Sequence, residues 1–313
     1  MDISAQEIFW KKTNVWANTN DKFTLLEYAV VSLNQYHRTD KSISLLYYQI
    51  FHNDKKVLIE PDLVIDTLKL NVENQDENTQ DEYRIQKLIK WLQEKNTDKK
   101  DMLELEWKYL TFLKNSEGYP PINLWRELSD NPEFYIWIVK IICGKEKDPS
   151  WTEEDKQKMQ NHCFGLMYSW KRVPGLNEKG RINKEALDSW FSFVRKKSAE
   201  FGITGLTMSY FGRAAFYSPA DIDGFFIDRE VAKYLQSDVD GEILSGYHSE
   251  AINSRGAYCV DYTGETEFKI EESYTVKARA ADENGMFRLA ETLRDIADFY
   301  HEEGLRNKEL RMK

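Results

Sequence analysis

Asn131-Pro-Glu-Phe-Tyr-Ile-Trp-Ile-Val-Lys-Ile-Ile-Cys-Gly144 is apolar almost all the way round, and its reading decides the fold. A helix with Ile and Val on every side must lie between neighbours, and at this length it is too short to cross a membrane. Its ends carry their own signals. Asn131 can accept from free N–H groups, Pro132 stands at a first helical position where no donor is needed, and Gly144 can take the left-handed stop. Phe134, Trp137, Ile138, Ile141 and Ile142 are expected on one face, with Ile136, Val139 and Cys143 covering much of the rest. Glu133 and Lys140 are the clearly polar members.

Outward from this stretch the same 3.6-residue period recurs. Upstream, a short helix is expected through Ile8, Phe9 and Trp10, then a helical hairpin from the Leu25, Leu26, Ala29, Val30, Leu33 stripe and the Ile43, Leu46, Tyr47, Ile50 stripe. A third helix opens at Pro61. The polar run Asn71–Glu82 separates it from a fourth with Ile85, Leu88, Ile89 and Leu92, for which Thr79 and Glu82 suggest a capping box. A fifth, from Asp98, carries Met102, Leu105, Tyr109 and Leu113 and stops before Gly118 and Pro120–Pro121, and a short helix over Asn123–Leu128 follows.

Downstream of Gly144, Ser150 with Glu153 suggests a second capping box. Stripes follow at Met159–Trp170, Leu187–Val194, Ile203–Ala214, Phe226–Gln236 and Val239–Arg255, and the last runs from Met286 to Tyr300. In residues 257–270 alternation around Thr263–Gly264 predicts a short β-hairpin. The fold class expected is all-α: stacked helical hairpins in an α-solenoid-like or irregular helical array, a closed helical domain being the competing reading. Helix starts near Asp21, Pro61 and Asp98, about forty residues apart, favour the array. The organisation expected is a helical-hairpin array over 1–118 and a helical domain over 119–313 packed around 131–144.

The 313 residues include 41% hydrophobic side chains, enough for a substantial core beside 31% charged ones, and 13% aromatic side chains argue against disorder. A net charge of −10 disfavours non-specific attachment to nucleic acid or anionic lipid by the molecule as a whole. Cys143, Cys163 and Cys259 lack paired metal-ligand spacing and read as reduced thiols, and no basic-then-apolar leader opens the chain, so a cytoplasmic protein without a membrane segment is expected. The five histidines form no zinc pattern, and Asp221 and Asp223 before Gly224 read as a turn rather than a calcium loop. No metal or cofactor is implied, and phosphate-binding, dinucleotide-binding and serine-nucleophile motifs are missing.

Two constellations carry chemistry. Arg294 and His301 form an R-x6-H arrangement on the last helix that resembles the motif of HEPN ribonucleases; that spacing puts both on one face, where Arg would hold a phosphate and His move a proton. Residues 171–197 hold Lys171, Arg172, Lys179, Arg181, Lys184, Arg195, Lys196 and Lys197 against Glu178, Glu185 and Asp188, a net +5, beside Trp170 and Trp190. Such a region suits a protein partner or nucleic acid, although both tryptophans fall on apolar stripes.

From about Leu103 onward, NPEF at Asn131–Phe134, SWKRVPG at Ser169–Gly175, SPADIDG at Ser218–Gly224 and NSRG at Asn253–Gly256 resemble the C-terminal helical region of long bacterial multidomain proteins of the defence or NTPase type. The resemblance covers roughly two-thirds of the chain. It implies a non-catalytic scaffold or adaptor whose partner is a separate NTPase or effector subunit.

Overall fold

The computed structural model describes Phe9 and residues 23–52, 59–73, 81–95, 97–113, 118–146, 148, 150–256 and 261–311. Apart from Phe9, the helix expected through Ile8–Trp10 lies outside them. Among the described residues there are fifteen α-helices and no β-strand, and no helix is long and apolar enough to cross a membrane. The chain divides into two compact units, Met1–Leu124 and Trp125–Lys313.

The N-terminal unit holds α1 (Phe23–Gln35), α2 (Thr39–Phe51), α3 (Pro61–Glu73), α4 (Glu82–Gln93), α5 (Lys99–Lys108), α6 (Leu110–Leu113) and the first turn of α7 (Ile122–Asp130). Each of the first six packs on its sequence neighbours and next neighbours, as in a helical array. Ile85, Leu88, Ile89 and Leu92 of α4 are fully buried, as their period requires, against a core that includes Leu46, Leu68 and Leu105. Asp98 caps α5 by accepting from the N–H groups of Lys100 and Asp101. The box expected from Thr79 and Glu82 does not start α4: Asp81 is the cap, accepting from Arg84 N–H, and Thr79 lies outside the described residues.

The unit also buries a carboxylate. Glu106 is fully inaccessible and accepts from the N–H groups of Asn123 and Leu124, from Asn123 Nδ2 at 2.7 Å and from Gln93 Nε2 at 2.8 Å. It thus supplies the acceptor that the free N–H groups at the start of α7 need. Burial raises its pKa against the lowering effect of these four bonds.

The C-terminal unit contains the rest of α7, α8 (Pro132–Ile142), α9 (Glu153–Ser169), α10 (Lys184–Phe201), α11 (Thr204–Ala215), α12 (Arg229–Gln236), α13 (Glu242–Asn253), α14 (Glu265–Glu283) and α15 (Phe287–Arg311). The apolar stretch is α8, packed on α9, α10 and α11, with Asn131 accepting from Glu133 and Phe134 N–H and Gly144 at φ +63°. Its buried face differs from the expected one. Tyr135, Ile138, Val139 and Ile141 are buried, whereas Phe134 and Trp137 stack on each other half-exposed. Tyr135 is the pivot: its ring lies 4.8 Å from Trp190 and 5.3 Å from Trp170, and its hydroxyl donates to Thr207 O at 2.6 Å. Burial raises its pKa well above the usual phenol range.

The start of α9 also differs, because Thr152 and Asp155 form the capping box while Ser150 bonds Asp148. The hairpin expected over residues 257–270 is overturned: Glu265–Ile270 open α14, and Ala257–Val260 lie outside the described residues. Asp261 fixes that start by accepting from the N–H and hydroxyl of both Thr263 and Thr266, which hold its carboxyl well below the usual range. Helices α11 and α13 cross at bare backbone. A Cβ on Gly212 would sit 1.9 Å from Ile243 O, and one on Gly246 would sit 1.9 Å from Ser209 O.

Candidate functional site

Trp170 caps α9 and Pro174 prevents its continuation, so the chain turns into a loop over residues 173–183. Gly175 (φ +80°) is required there, since a Cβ would meet Asn183 O at 2.9 Å and Leu187 Cβ at 3.0 Å. Gly175 O accepts from Asn183 N–H, Leu176 and Ile182 form an antiparallel bridge, and Asn177 N–H donates to Arg181 O. Asn183 then caps α10 through Ala186 N–H. The loop is therefore held against the first turn of α10.

Between this loop, α10 and the Trp125–Asp130 part of α7 lies a cavity of about 520 Å³. Arg126, Asp130, Arg172, Asn177, Glu178 and Trp190 are among its lining. Two segments of the resemblance meet here, NPEF through Pro132 and SWKRVPG through Arg172 and Gly175. Arg172 is half-buried and donates to Leu176 O from one end of its guanidinium. Its Nε is buried without a hydrogen-bond partner. Burial lowers its pKa, Asp130 and Glu178 oppose that shift, and Arg126 adds to it. Arginine does not trade protons near neutrality, so the chemistry suited to this lining is recognition: a planar donor fork for a carboxylate or similar oxygen pair.

The basic region read from the sequence is dispersed by the fold. Arg172 enters the cavity, Lys179 and Arg181 are exposed in the loop, and Arg195 and Lys196 border a separate open recess of about 480 Å³ with Phe191, Ser192 and Tyr234. Lys171 lies over the Tyr217 ring, Lys184 pairs with Asp188, and Lys197 pairs with Glu200 at 2.7 Å. Trp170 and Trp190 are core residues whose indole N–H groups bond Ser129 Oγ and Leu128 O, and Trp190 also borders the cavity.

Arg294 and His301 both face α14. Arg294 pairs with Asp282, and His301 Nδ1 lies 2.9 Å from Glu271 Oε2, so the R-x6-H arrangement clasps a helical hairpin. Asp221 and Asp223 hold Arg229. Cys163 is a buried free thiol, its pKa pushed up to about 12 by burial; Cys143 is half-buried and free, and Cys259 lies outside the described residues. No group of three or more His, Cys, Asp or Glu able to hold a metal ion occurs among the described residues.

Arg126 and Asp130 were not legible as site residues. They sit four apart on the polar side of a short helix, a pattern that any solvated helix shows. The fold defines an all-α protein with a recess of mixed charged and apolar lining in its C-terminal unit. No protein-family model, curated protein or solved structure matches the chain.

Proposed function

We propose that the chain is a non-catalytic helical scaffold or adaptor that binds a protein partner, and that the cavity at Arg172 receives a carboxylate of that partner. One observation carries this reading: the half-buried guanidinium of Arg172 lines a cavity of about 520 Å³ together with Arg126. That volume falls within the range of roughly 300–1,000 Å³ common for ligand sites. A carboxylate there would meet two cations on the cavity lining, Arg172 and Arg126. The resemblance of the NPEF, SWKRVPG, SPADIDG and NSRG segments supports the finer reading, a cytoplasmic subunit of a bacterial defence system whose partner is an NTPase or effector.

The test is purification of the tagged full chain from its host, followed by size-exclusion chromatography and mass spectrometry. A stoichiometric partner is expected with the wild-type chain, and Arg126→Glu should weaken its retention at least tenfold while leaving the circular dichroism spectrum unchanged. A chain that elutes alone, or a partner that Arg126→Glu retains fully, overturns the reading. RNA cleavage abolished by Arg294→Ala or His301→Ala would replace it with the ribonuclease alternative.

A further inference from the structure

The N-terminal unit carries a second surface whose parts no short sequence motif announces. Helix α4 places Tyr83, Lys87 and Trp91 four residues apart, with Arg84 and Lys90 beside them, a spacing of four keeps side chains on one face, and Lys95 follows in the turn just past the helix. Helix α2 adds Tyr47, Tyr48, Phe51 and His52 at its C-terminal end.

The ring contacts run from α2 to Tyr83 on α4. Tyr48 meets His52 at 5.9 Å, His52 meets Tyr47 at 5.2 Å, and Tyr47 meets Phe51 at 5.2 Å and Tyr83 at 6.1 Å. Lys87 Nζ then lies 5.6 Å from the centres of both Tyr83 and Tyr119, Lys90 Nζ 5.4 Å from Tyr119, and Lys95 Nζ 5.0 Å from Trp91. Tyr83 is 54% exposed, Tyr48 44% and Phe51 39%.

Charge completes the surface. Asp81 pairs with Arg84 at 3.0 Å, but among the described residues no carboxylate lies within ion-pair distance of Lys87, Lys90 or Lys95. Lys87, Lys90 and Lys95 thus bring three ammonium groups with no carboxylate partner among the described residues up to the rings, Lys90 also donating to Gly118 O at 3.3 Å.

We propose that this aromatic and cationic face of α2 and α4 binds single-stranded nucleic acid, the lysines meeting phosphates and the exposed rings taking unstacked bases. An acidic peptide would satisfy the ammonium groups but leave the row of ring faces unused, and a duplex keeps its bases stacked internally. Trp91 and Tyr119 also pack against the core, so the rings exposed to a base are Tyr83, Tyr48 and Phe51. The face lies wholly within the N-terminal unit, so its failure would leave the adaptor reading at Arg172 standing.

The test is fluorescence anisotropy of the full chain with a labelled oligothymidylate of about 20 nucleotides at about 50 mM salt, where phosphate contacts are strong. A duplex of the same length and a polyglutamate of matched charge serve as competitors. Binding is expected to be displaced by unlabelled single strand and at least tenfold less well by either competitor. Tyr83→Ala should weaken it by about 5- to 150-fold, the range that loss of one base–aromatic stack corresponds to. Lys87→Gln with Lys90→Gln should lower the salt dependence, while Lys179→Gln with Arg181→Gln, in the other unit, should leave affinity within twofold. Melting curves check that each variant folds. Absence of binding, equal competition by polyglutamate, or an affinity indifferent to both Tyr83→Ala and the α4 lysine substitutions in folded protein overturns the proposal.

Discussion

Glu106 shows how a single residue can hold a helix end that the chain's local sequence leaves open. No side-chain cap precedes Ile122, yet Asn123 and Leu124 N–H both reach the Glu106 carboxylate at 2.9 Å. Glu106→Gln keeps the shape but replaces one acceptor oxygen by an NH2 group, which faces donors already there. With hydrogen bonds to a charged group worth roughly 1.5–3 kcal/mol each, a loss of about 2–4 kcal/mol is expected in urea unfolding. A loss below about 0.5 kcal/mol would mean that the carboxylate is not the helix's acceptor. Tyr135→Phe is a smaller change: it removes the bond to Thr207 O while keeping the ring against Trp170 and Trp190. The cost expected is about 1 kcal/mol, measured the same way.

At the scale of elements, a crossing of bare backbones and a pair of solvent-facing ion pairs contribute unequally. Gly212 and Gly246 let α11 and α13 meet with no side chain between them, so Gly212→Ala must move Ile243 or its helix. A loss of about 2–3 kcal/mol or more is expected. The α14–α15 clasp is exposed, Arg294 by 51% and His301 by 49%, so Arg294→Ala and His301→Ala should each cost less than about 1 kcal/mol in the same unfolding assay. Between α3 and α5, Lys69 bonds Asp101 and Glu104, and Lys108 bonds Glu104 from its own helix. Lys108 and Lys69 hold the Glu104 carboxyl down at about 2. A depressed carboxylate contributes above its unfolded value near 4.5 and loses that contribution as pH falls toward about 2. Because both partners are partly exposed, the contribution is below about 1 kcal/mol, and Glu104→Gln should remove this acid sensitivity from the unfolding free energy.

Over the whole molecule, what the sequence exposes and what it hides follow from the same physics. Stripes of large aliphatic residues, such as Ile85, Leu88, Ile89 and Leu92, mark helices because each loses about the same large area to the core. Helix α14 lacks that signal: its buried positions are Glu267, Tyr274, Ala278 and Ala281, and the short alternation at its start reads as strand. Tyr47 fits the helical period of the α2 stripe yet stands half-exposed among the surface rings, since period alone cannot distinguish the core face from its edge. The cavity at Arg172 was legible only in pieces, through Arg172 and the NPEF and SWKRVPG segments, because Arg126 comes from a helix more than forty positions earlier and only folding joins them. The same separation governs unfolding. Leu88 belongs to a buried cluster drawn from residues 26–113, entirely within the N-terminal unit, whereas Leu293 is buried in the C-terminal unit. Leu88→Ala and Leu293→Ala each leave a cavity that should cost about 2–5 kcal/mol. If each unit unfolds around its own core, calorimetry resolves two transitions, with Leu88→Ala lowering one midpoint and Leu293→Ala the other. A single transition lowered equally by both substitutions would show that the two cores melt together.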